Sequence, residues 1–449
     1  MQVIENDLIK EKVYIEKLKS GLTVMFIPRR NTKKKYITFG TNYGSMDEKF
    51  IIPGEKEITE VPDGVAHFLE HKLFEQENGH NSLDVLSSLG VNANAYTTNN
   101  HTAYLYECTN NFYEALDEFM NYIQSPYFTD ENVEKEKGII NQEIGMYNDQ
   151  PDWKVYLNAL EALYVNNKVK LDPAGTVESV SKINKEILYT CYNNFYKLSN
   201  MAIVVVGDFD KEEIFNEINK RIIKDEDTTI AKKVVDKEPE EINKKEIYEK
   251  MDVNIPLFIL GIKDKIENNN SLNNSKLQIR KHIAIDIILD ILIGNSSVLF
   301  NKLYDEGLIY SEFTSIYEYA RDYSHILIQN QSFEYKKIVE EIKNRINFLK
   351  ENGLDDIEFE RMKKKNYGMY VKEFENISDI GNNFMESYFK EINPFDFIDE
   401  SQNIDKQYVE RILKDIFIED KMITSVIANK WEKCRPKFDE KELIWLTKL

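Results

Sequence analysis

The sequence predicts an α+β fold with two homologous halves, each a mostly antiparallel sheet with helices packed on it. Three observations support this prediction. The chain has 449 residues, more than one ordinary core accommodates. Segments with strand and helix patterns occur twice in the same order, although their residues differ. A charged segment poor in aromatic residues, 225–247, separates the two series and is predicted to be a linker. The predicted domains are therefore 1–224 and 248–449.

The first series begins with a predicted hairpin, in which strands at 12–18 and 22–28 flank a turn at Ser20 and Gly21. Asp63 is predicted to cap a helix through residues 65–74, and Gly90 to close the next one. Alternating or continuous apolar patterns predict further strands at 36–44, 91–98, 101–108 and 200–210. Helical spacing predicts helices at 110–124, 129–147, 153–165 and 184–196.

The second series follows the linker in the same order. Strands are predicted near 246–262, at 309–318, at 324–332 and at 420–430. Helices are predicted at 276–293 and 297–305, with long helices over 335–392. The final strand of each series is strongly apolar, which makes residues 420–430 the counterpart of 200–210. The tail after Lys430 is aromatic, and no function is predicted for it.

Composition excludes several classes of partner. A net charge of −20 argues against nucleic acid, whose phosphates favour a basic surface. The longest apolar stretches, such as 201–207, are too short to cross a bilayer, so no membrane span is expected. The N-terminal residues lack the apolar core of a signal peptide.

Three scattered cysteines, Cys108, Cys191 and Cys434, are typical of reduced thiols. The expected location is the cytoplasm.

The strongest chemical signal is the H-x-x-E-H motif formed by His67, Glu70 and His71. On a helix, positions i, i+3 and i+4 share one face, so the three side chains point the same way. Two imidazoles one turn apart can bind one Zn²⁺, and a Glu beside them can take a proton from metal-activated water. This order of residues is a metallopeptidase signature. Chance placement of 6 His and 78 acidic residues produces it in only about 1% of such chains.

The motif and two later passages, GVNANAYTTNNHTAYLYE and EKEKGIINQEIGMYNDQPDW, resemble the pitrilysin/insulysin family of zinc metallopeptidases. Short bacterial members and the zinc-bearing subunit of mitochondrial processing peptidase are the most similar kinds. The resemblance implies one Zn²⁺ per chain, with Glu143 as the third ligand. It also implies that Glu136, about two helical turns earlier, orients a ligating imidazole. From the residues alone, Glu143 is one of many acids on a charged helix.

The resemblance further implies a substrate-binding strand near the metal. Asn94 and Ala95 are expected to contact the substrate backbone by strand addition, and Tyr96 and Phe68 to contact the substrate. Without the resemblance, Tyr96 is interpreted as an ordinary sheet aromatic.

Family members that act alone carry an Arg and a Tyr in the second half that hold substrate. Tyr310 matches the Tyr and is a candidate catalytic residue, but Tyr304 occupies the position of the Arg. A hydroxyl cannot replace the charge and fork of a guanidinium. The chain is therefore expected to form one side of a two-subunit clamshell. The expected partner is a zinc-less homologous subunit that supplies the Arg, and a homodimer is the alternative.

These expectations combine into one function, a zinc-dependent endopeptidase that cleaves peptides or unfolded segments with Glu70 as general base. Two alternatives stay open. One is a non-catalytic assembly or core subunit of the same fold, and the other is a peptide-binding protein with a structural zinc. The intact motif argues against the first alternative, and the missing Arg argues for it. A structural zinc usually has four protein ligands, and no fourth candidate is visible.

Overall fold

The computed structural model describes residues 1–77, 79–223, 228–265 and 272–430. Part of the predicted linker and the aromatic tail after Lys430 lie outside these residues. The strands are β1 Gln2–Asn6, β2 Glu11–Lys17, β3 Thr23–Pro28, β4 Lys35–Thr41, β5 Lys49–Ile51, β6 Thr59–Glu60, β7 Asn92–Thr97, β8 Thr102–Cys108, β9 Met201–Gly207, β10 Lys232–Lys233, β11 Glu246–Met251, β12 Leu257–Lys263, β13 Thr314–Tyr319, β14 Ser324–Gln331 and β15 Met422–Asn429.

The helices follow the predicted spacing closely, and several short ones are additional. They are α1 Val65–Lys72, α2 Ser82–Ser88, α3 Phe112–Gln124, α4 Asp130–Asn148, α5 Pro151–Leu163, α6 Val177–Ser181, α7 Lys185–Phe195, α8 Lys211–Lys220, α9 Leu272–Ile293, α10 Val298–Asp305, α11 Tyr335–Asn352, α12 Asp356–Lys372, α13 Ile377–Phe389, α14 Phe395–Asn403 and α15 Lys406–Ile416. The fold is α+β, as the sequence predicted.

The two main sheets share one topology. The first has seven strands in the order β1-β2-β3-β9-β4-β8-β7, and the second has five in the order β11-β15-β12-β14-β13. In each, the first strand of the shared five pairs in parallel with the last, and the other pairs are antiparallel. The hairpin β1–β2 is an addition at one edge of the first sheet. The repeated pattern in the sequence therefore corresponds to a repeated strand order.

The halves exchange one helix each. Helix α5 belongs to the first half but packs on β12 and β15, whereas α13 belongs to the second half and packs on β4 and β9. A glycine permits the second contact, because a Cβ at Gly381 would lie 2.4 Å from the ring of Tyr36. The largest core consequently includes residues of both sheets, among them Val204 and Leu260. A second core lies on the other face of the first sheet. It is built from residues of the first half together with Ala231 of the predicted linker.

The described part of the predicted linker is anchored to both halves. Strand β10 pairs with β5 of the first half. The buried carboxylate of Glu238 accepts hydrogen bonds from the backbone N–H groups of residues 165–167 and from Lys263. Strand β11 begins at Glu246, within the segment predicted as linker, and pairs with β15. The segment is charged because it crosses the surface, but specific hydrogen bonds hold it there.

Three local predictions differ from the structure. Asp63 does not cap α1: the helix begins after Gly64, whose φ of 93° and close approach to the Ala174 carbonyl leave no room for a side-chain cap. Strand β13 begins at Thr314 and not at residue 309, since Gly307 ends the α10 segment with a φ of 67°. The third is the prediction that every apolar stretch is too short to cross a bilayer. Among the described residues, Ser275–Asp305 is long and apolar enough to do so, a test that buried core helices also pass. Two aspartates interrupt its apolar run, and α9 lies in the largest core.

Candidate metal centre

Helix α1 presents its histidines and glutamate on one face because its other face is core. Phe68 and Leu69 are fully buried among first-half residues. His67, Glu70 and His71 occupy the side that faces α4, and the rings of the two histidines are 4.5 Å apart. The local pattern of apolar and polar residues thus sets which way the motif points.

Glu143 on α4 completes the cluster. Its Oε2 lies 3.8 Å from His67 Nε2 and 3.6 Å from His71 Nε2. One ligand atom from each of the three residues lies within 4.8 Å of the others. These separations exceed hydrogen-bond length but approach the roughly 3.3 Å between two ligands of one tetrahedral zinc ion. The donor set of two imidazoles and one carboxylate is also that of catalytic zinc sites, which keep one position open. The residues therefore fit a zinc ion.

Glu136 supports the second histidine from one side. Its Oε1 lies 3.0 Å from His71 Nδ1, so that His71 Nε2 faces the cluster. Burial alone would raise the pKa of Glu136, but its contacts with His71 and with the ammonium of Lys72, 3.5 Å away, lower it. An ionised Glu136 accepts a hydrogen bond from the Nδ1–H of His71 and so holds the tautomer whose Nε2 is free to bind a metal. The role expected for Glu136 is consistent with this geometry.

His67 is buried deeply enough to stay neutral. Burial, and then the charge of His71, lower its pKa to about 3. Its Nδ1 is buried and has no hydrogen-bond partner among the described residues. A neutral imidazole retains the lone pair that a metal ligand donates. His67 is therefore ready to bind a cation at neutral pH without first losing a proton.

Glu70 has the surroundings of a general base. It is 8% exposed, and burial raises the pKa of its carboxyl above the ordinary value. The hydroxyl of Thr97, at the end of β7, donates a 2.6 Å hydrogen bond to Glu70 Oε2. A raised pKa brings a carboxylate nearer to the range in which it can both take and return a proton. Glu70 is held at the cluster by this bond and by α1 itself.

Strand β7 lies at the free edge of the first sheet, beside α1. Asn94 is exposed on it and accepts a hydrogen bond from the Ala95 N–H. Ala95 and Tyr96 are partly exposed, and the Tyr96 ring packs edge-on against His101. An edge strand with partly exposed residues is compatible with strand addition, so the contacts predicted for Asn94, Ala95 and Tyr96 stay predictions with a suitable surface.

Two other predicted residues are not brought to the cluster. The side chain of Phe68 lies on the core side of α1 and is fully buried, so it has no exposed surface for a substrate contact. Tyr310 lies on an exposed loop between α10 and β13, and Tyr304 is exposed on α10. Among the described residues, no hydrogen bond, ion pair or ring contact links either tyrosine to the histidines.

The structure adds two residues that sequence reasoning missed. Thr97 lies in one of the passages that resemble the family, but a threonine at this position does not by itself predict a contact with Glu70, which is 27 residues away. Lys72 follows His71 directly and is fully buried between Glu75 and Glu136. A buried lysine next to a metal ligand is unusual, because an unpaired buried ammonium is costly. The place of Lys72 directly after His71 was the only feature of the sequence that could have pointed to it.

Comparisons with known proteins identify the family of this chain. A family model described as Insulinase (Peptidase family M16) matches residues 56–177, and one described as Peptidase M16 inactive domain matches residues 182–366. The chain is 35% identical over 430 residues to the uncharacterized zinc protease YmfH of Bacillus subtilis, covering 95% of this chain and 99% of the relative.

Solved structures show the same fold. A putative M16-like peptidase from Alicyclobacillus acidocaldarius matches with a TM-score of 0.88 and 31% identity, covering 95% of this chain and 100% of the other. Pitrilysin matches with a TM-score of 0.73 and 16% identity, over 96% of this chain but 46% of its own. The resemblance stated from the motifs is thus confirmed: the chain belongs to peptidase family M16, the pitrilysin and insulinase family.

Proposed function

We propose that this protein is a zinc-dependent endopeptidase that hydrolyses peptides or unfolded segments. One observation carries the proposal: His67, His71 and Glu143 converge at distances that suit a common ion, with the buried Glu70 beside them. A general base beside three such ligands is the arrangement that hydrolysis by metal-activated water requires. The names of the relatives as zinc proteases support the same conclusion.

His67, His71 and Glu143 would hold one Zn²⁺ per chain. When bound, zinc supplies a Lewis acid that lowers the pKa of water and polarises a carbonyl. Glu70 takes the proton of the attacking water and returns it to the leaving amine. Because Thr97 engages Oε2, we assign the moving proton to Glu70 Oε1. Glu136 keeps the His71 ring oriented throughout.

The deciding experiment is cleavage of an unstructured fluorogenic peptide by the zinc-loaded chain. Glu70→Gln should retain zinc and lower turnover by about 100- to 10,000-fold, since it removes the base and leaves the ligands. Glu131→Gln, on the exposed first turn of α4, is the matched control and should cleave at the wild-type rate. Wild-type cleavage by Glu70→Gln would refute the role of this residue. Absence of cleavage by a zinc-loaded preparation, alone and with its partner, would favour the non-catalytic subunit or the peptide-binding protein.

We also propose a heterodimer with a zinc-less homologue, with a homodimer as the alternative. The match covers 46% of the pitrilysin chain, so a second subunit of similar size would bring the assembly to about the size of pitrilysin. Tyr304, at the position where relatives carry Arg, is 57% exposed and supplies no cation. Adding the zinc-less homologue from the same source should raise turnover, and sedimentation should show a mixed dimer. Unchanged turnover in a confirmed mixed dimer would contradict the borrowed Arg.

A cytoplasmic location is proposed from the thiols. Cys108 and Cys191 are free and buried, and burial raises their pKa values to about 11 and 12. Such thiols are inert and do not form a disulfide framework. Cell fractionation with an antibody tests this proposal, and recovery outside the cytoplasmic fraction would contradict it.

A further inference from the structure

Thr97 connects the edge strand of the first sheet with the general base. It is the last residue of β7, and its hydroxyl donates to Glu70 Oε2 over 2.6 Å. The same hydroxyl oxygen lies 3.4 Å from that of Thr102, its cross-strand partner, which itself donates to the Tyr43 carbonyl. The position of Thr97 is therefore defined from the strand side as well as from α1.

The turn that follows Thr97 is held by the second half. Asn100 donates to the hydroxyl of Tyr323 over 3.1 Å, and this hydroxyl donates to Glu318 over 2.8 Å. Tyr323 is 2% exposed, so these bonds form in a dry environment where they are strong. The ring of His101, in the same turn, packs against Phe389 of α13 at 5.2 Å. Both contacts join the β7–β8 turn to the half that carries no metal ligand.

The first half supports the turn from the opposite side. The backbone N–H groups of Ser45 and Met46 donate to the carbonyls of Thr98 and Asn99. A Cβ at Gly44 would lie 2.5 Å from the backbone of Asn99, so this loop approaches as closely as only glycine allows. The turn is thus clamped between two surfaces, and the residue next to it is Thr97.

Resting on the proposed peptidase function, we propose that Thr97 is a positioning residue for Glu70, and that the second half holds Thr97 in place through Asn100 and Tyr323. A carboxylate with one oxygen fixed presents the other in a single direction, which a proton transfer requires. The second half would then contribute to catalysis without supplying a ligand. Its contribution is the position of the base.

The test compares Thr97→Val, which has the same shape but no hydroxyl, with Thr97→Ser, which keeps the hydroxyl. Thr97→Val should lower kcat about 10- to 100-fold, the effect of losing one hydrogen bond to a charged group, with KM and zinc content unchanged. Thr97→Ser should restore most of kcat. In the Glu70→Gln background, Thr97→Val should leave the Kd of the uncleaved peptide unchanged. A raised KM with unchanged kcat, or loss of zinc, would overturn the positioning role.

The route through the second half is tested by a double-mutant cycle. Tyr323→Phe should lower kcat less than Thr97→Val does, and should add little in the Thr97→Val background, because both act on the same contact. A full additive loss would overturn the route. If the zinc-loaded wild-type protein cleaves neither alone nor with its partner, the proposed function has failed, and crystal structures of wild type and Thr97→Val then test the role of Thr97. Displacement of the Glu70 carboxylate in Thr97→Val supports the positioning role, and an unmoved carboxylate refutes it.

Discussion

The two halves of this molecule share a strand order and differ in the segment between their second and third shared strands. In the first half this segment contains the short α1, whose polar face carries two histidines and a glutamate. In the second half it contains α9, a 22-residue helix whose described side chains are mostly apolar and buried. The same sheet therefore supports a candidate metal site or a plain core, depending on the segment that connects its strands. The fold alone does not determine function.

The halves also differ in how their charged side chains are paired. In the second half, Asp264 accepts hydrogen bonds from Tyr317 and Ser324 and pairs with Lys281 at 2.7 Å. In the first half, Glu143 faces His67 and His71 at 3.6–3.8 Å without forming a hydrogen bond to either. Charges that satisfy one another stabilise a core, whereas ligands held apart leave space for an ion. This difference is the one that the proposed zinc site requires.

The largest expected effect comes from removing one ligand. His71→Ala should reduce bound zinc to near zero and abolish the proposed cleavage, because two remaining ligands hold a catalytic zinc poorly. His282→Ala, which changes the histidine paired with Asp286 on α9, should keep its zinc. Metal analysis of both purified variants checks this prediction. Full zinc in His71→Ala, or zinc loss in His282→Ala, would contradict the assignment of the metal site to the first half alone.

The next effect concerns the core side of α1. Phe68→Ala should lower the free energy of unfolding by about 3–5 kcal/mol, since it leaves a cavity under the metal ligands. KM should not change at temperatures where the variant is folded, because the side chain has no exposed surface. Denaturant unfolding and steady-state kinetics measure the two quantities. A raised KM at unchanged stability would show that Phe68 contacts substrate after all.

A smaller effect depends on pH and lies in the second half. Burial alone would raise the pKa of Glu318, but the neighbouring His325 and Tyr323 lower it to about 2, below the ordinary 4.5. The ionised carboxylate therefore stabilises the fold above pH 4.5, and this stabilisation is lost as the pH falls from 4.5 towards 2. Between pH 6 and pH 3, the stability advantage of wild type over Glu318→Gln should shrink by about 2 kcal/mol.

Chemical denaturation at the two pH values measures this advantage, with Glu131→Gln as the control. Glu131 is exposed, so its substitution should change stability little at either pH. If the stability advantage of wild type over Glu318→Gln grew towards pH 3, the ionised Glu318 carboxylate would not be the form that stabilises the second half.

The smallest effect tests whether the halves unfold together. The Tyr164 hydroxyl of the first half donates to the Ser324 carbonyl of the second and lies 2.9 Å from His325 Nδ1. Tyr164→Phe should cost about 1 kcal/mol, as should Tyr106→Phe, whose hydroxyl donates to Phe112 within the first half. Both variants should unfold in one calorimetric transition. Two transitions in Tyr164→Phe alone would show that the halves are separable units.

Much of the fold follows from local pattern. The period of apolar residues predicted most helices and strands within a few residues, and the order of elements predicted the repeat. The His67, Glu70 and His71 cluster follows from helix geometry, because three and four residues make about one turn. Glu143 could be assigned only through the family resemblance, since its helix carries many other acids. Short helices such as α6 and α14 were missed because a few residues give no clear period.

The sequence by itself determined the fold class, the site-bearing helix and the metal it suits. Only the tertiary structure decided which half each helix packs on, that Phe68 is core, and that Thr97 and Lys72 belong to the site. The physical reason is range. Helix spacing and capping act over a few residues, whereas the Thr97–Glu70 and Asn100–Tyr323 hydrogen bonds join residues 27 and 223 positions apart. Such contacts exist only after both sheets have packed, so no local pattern records them.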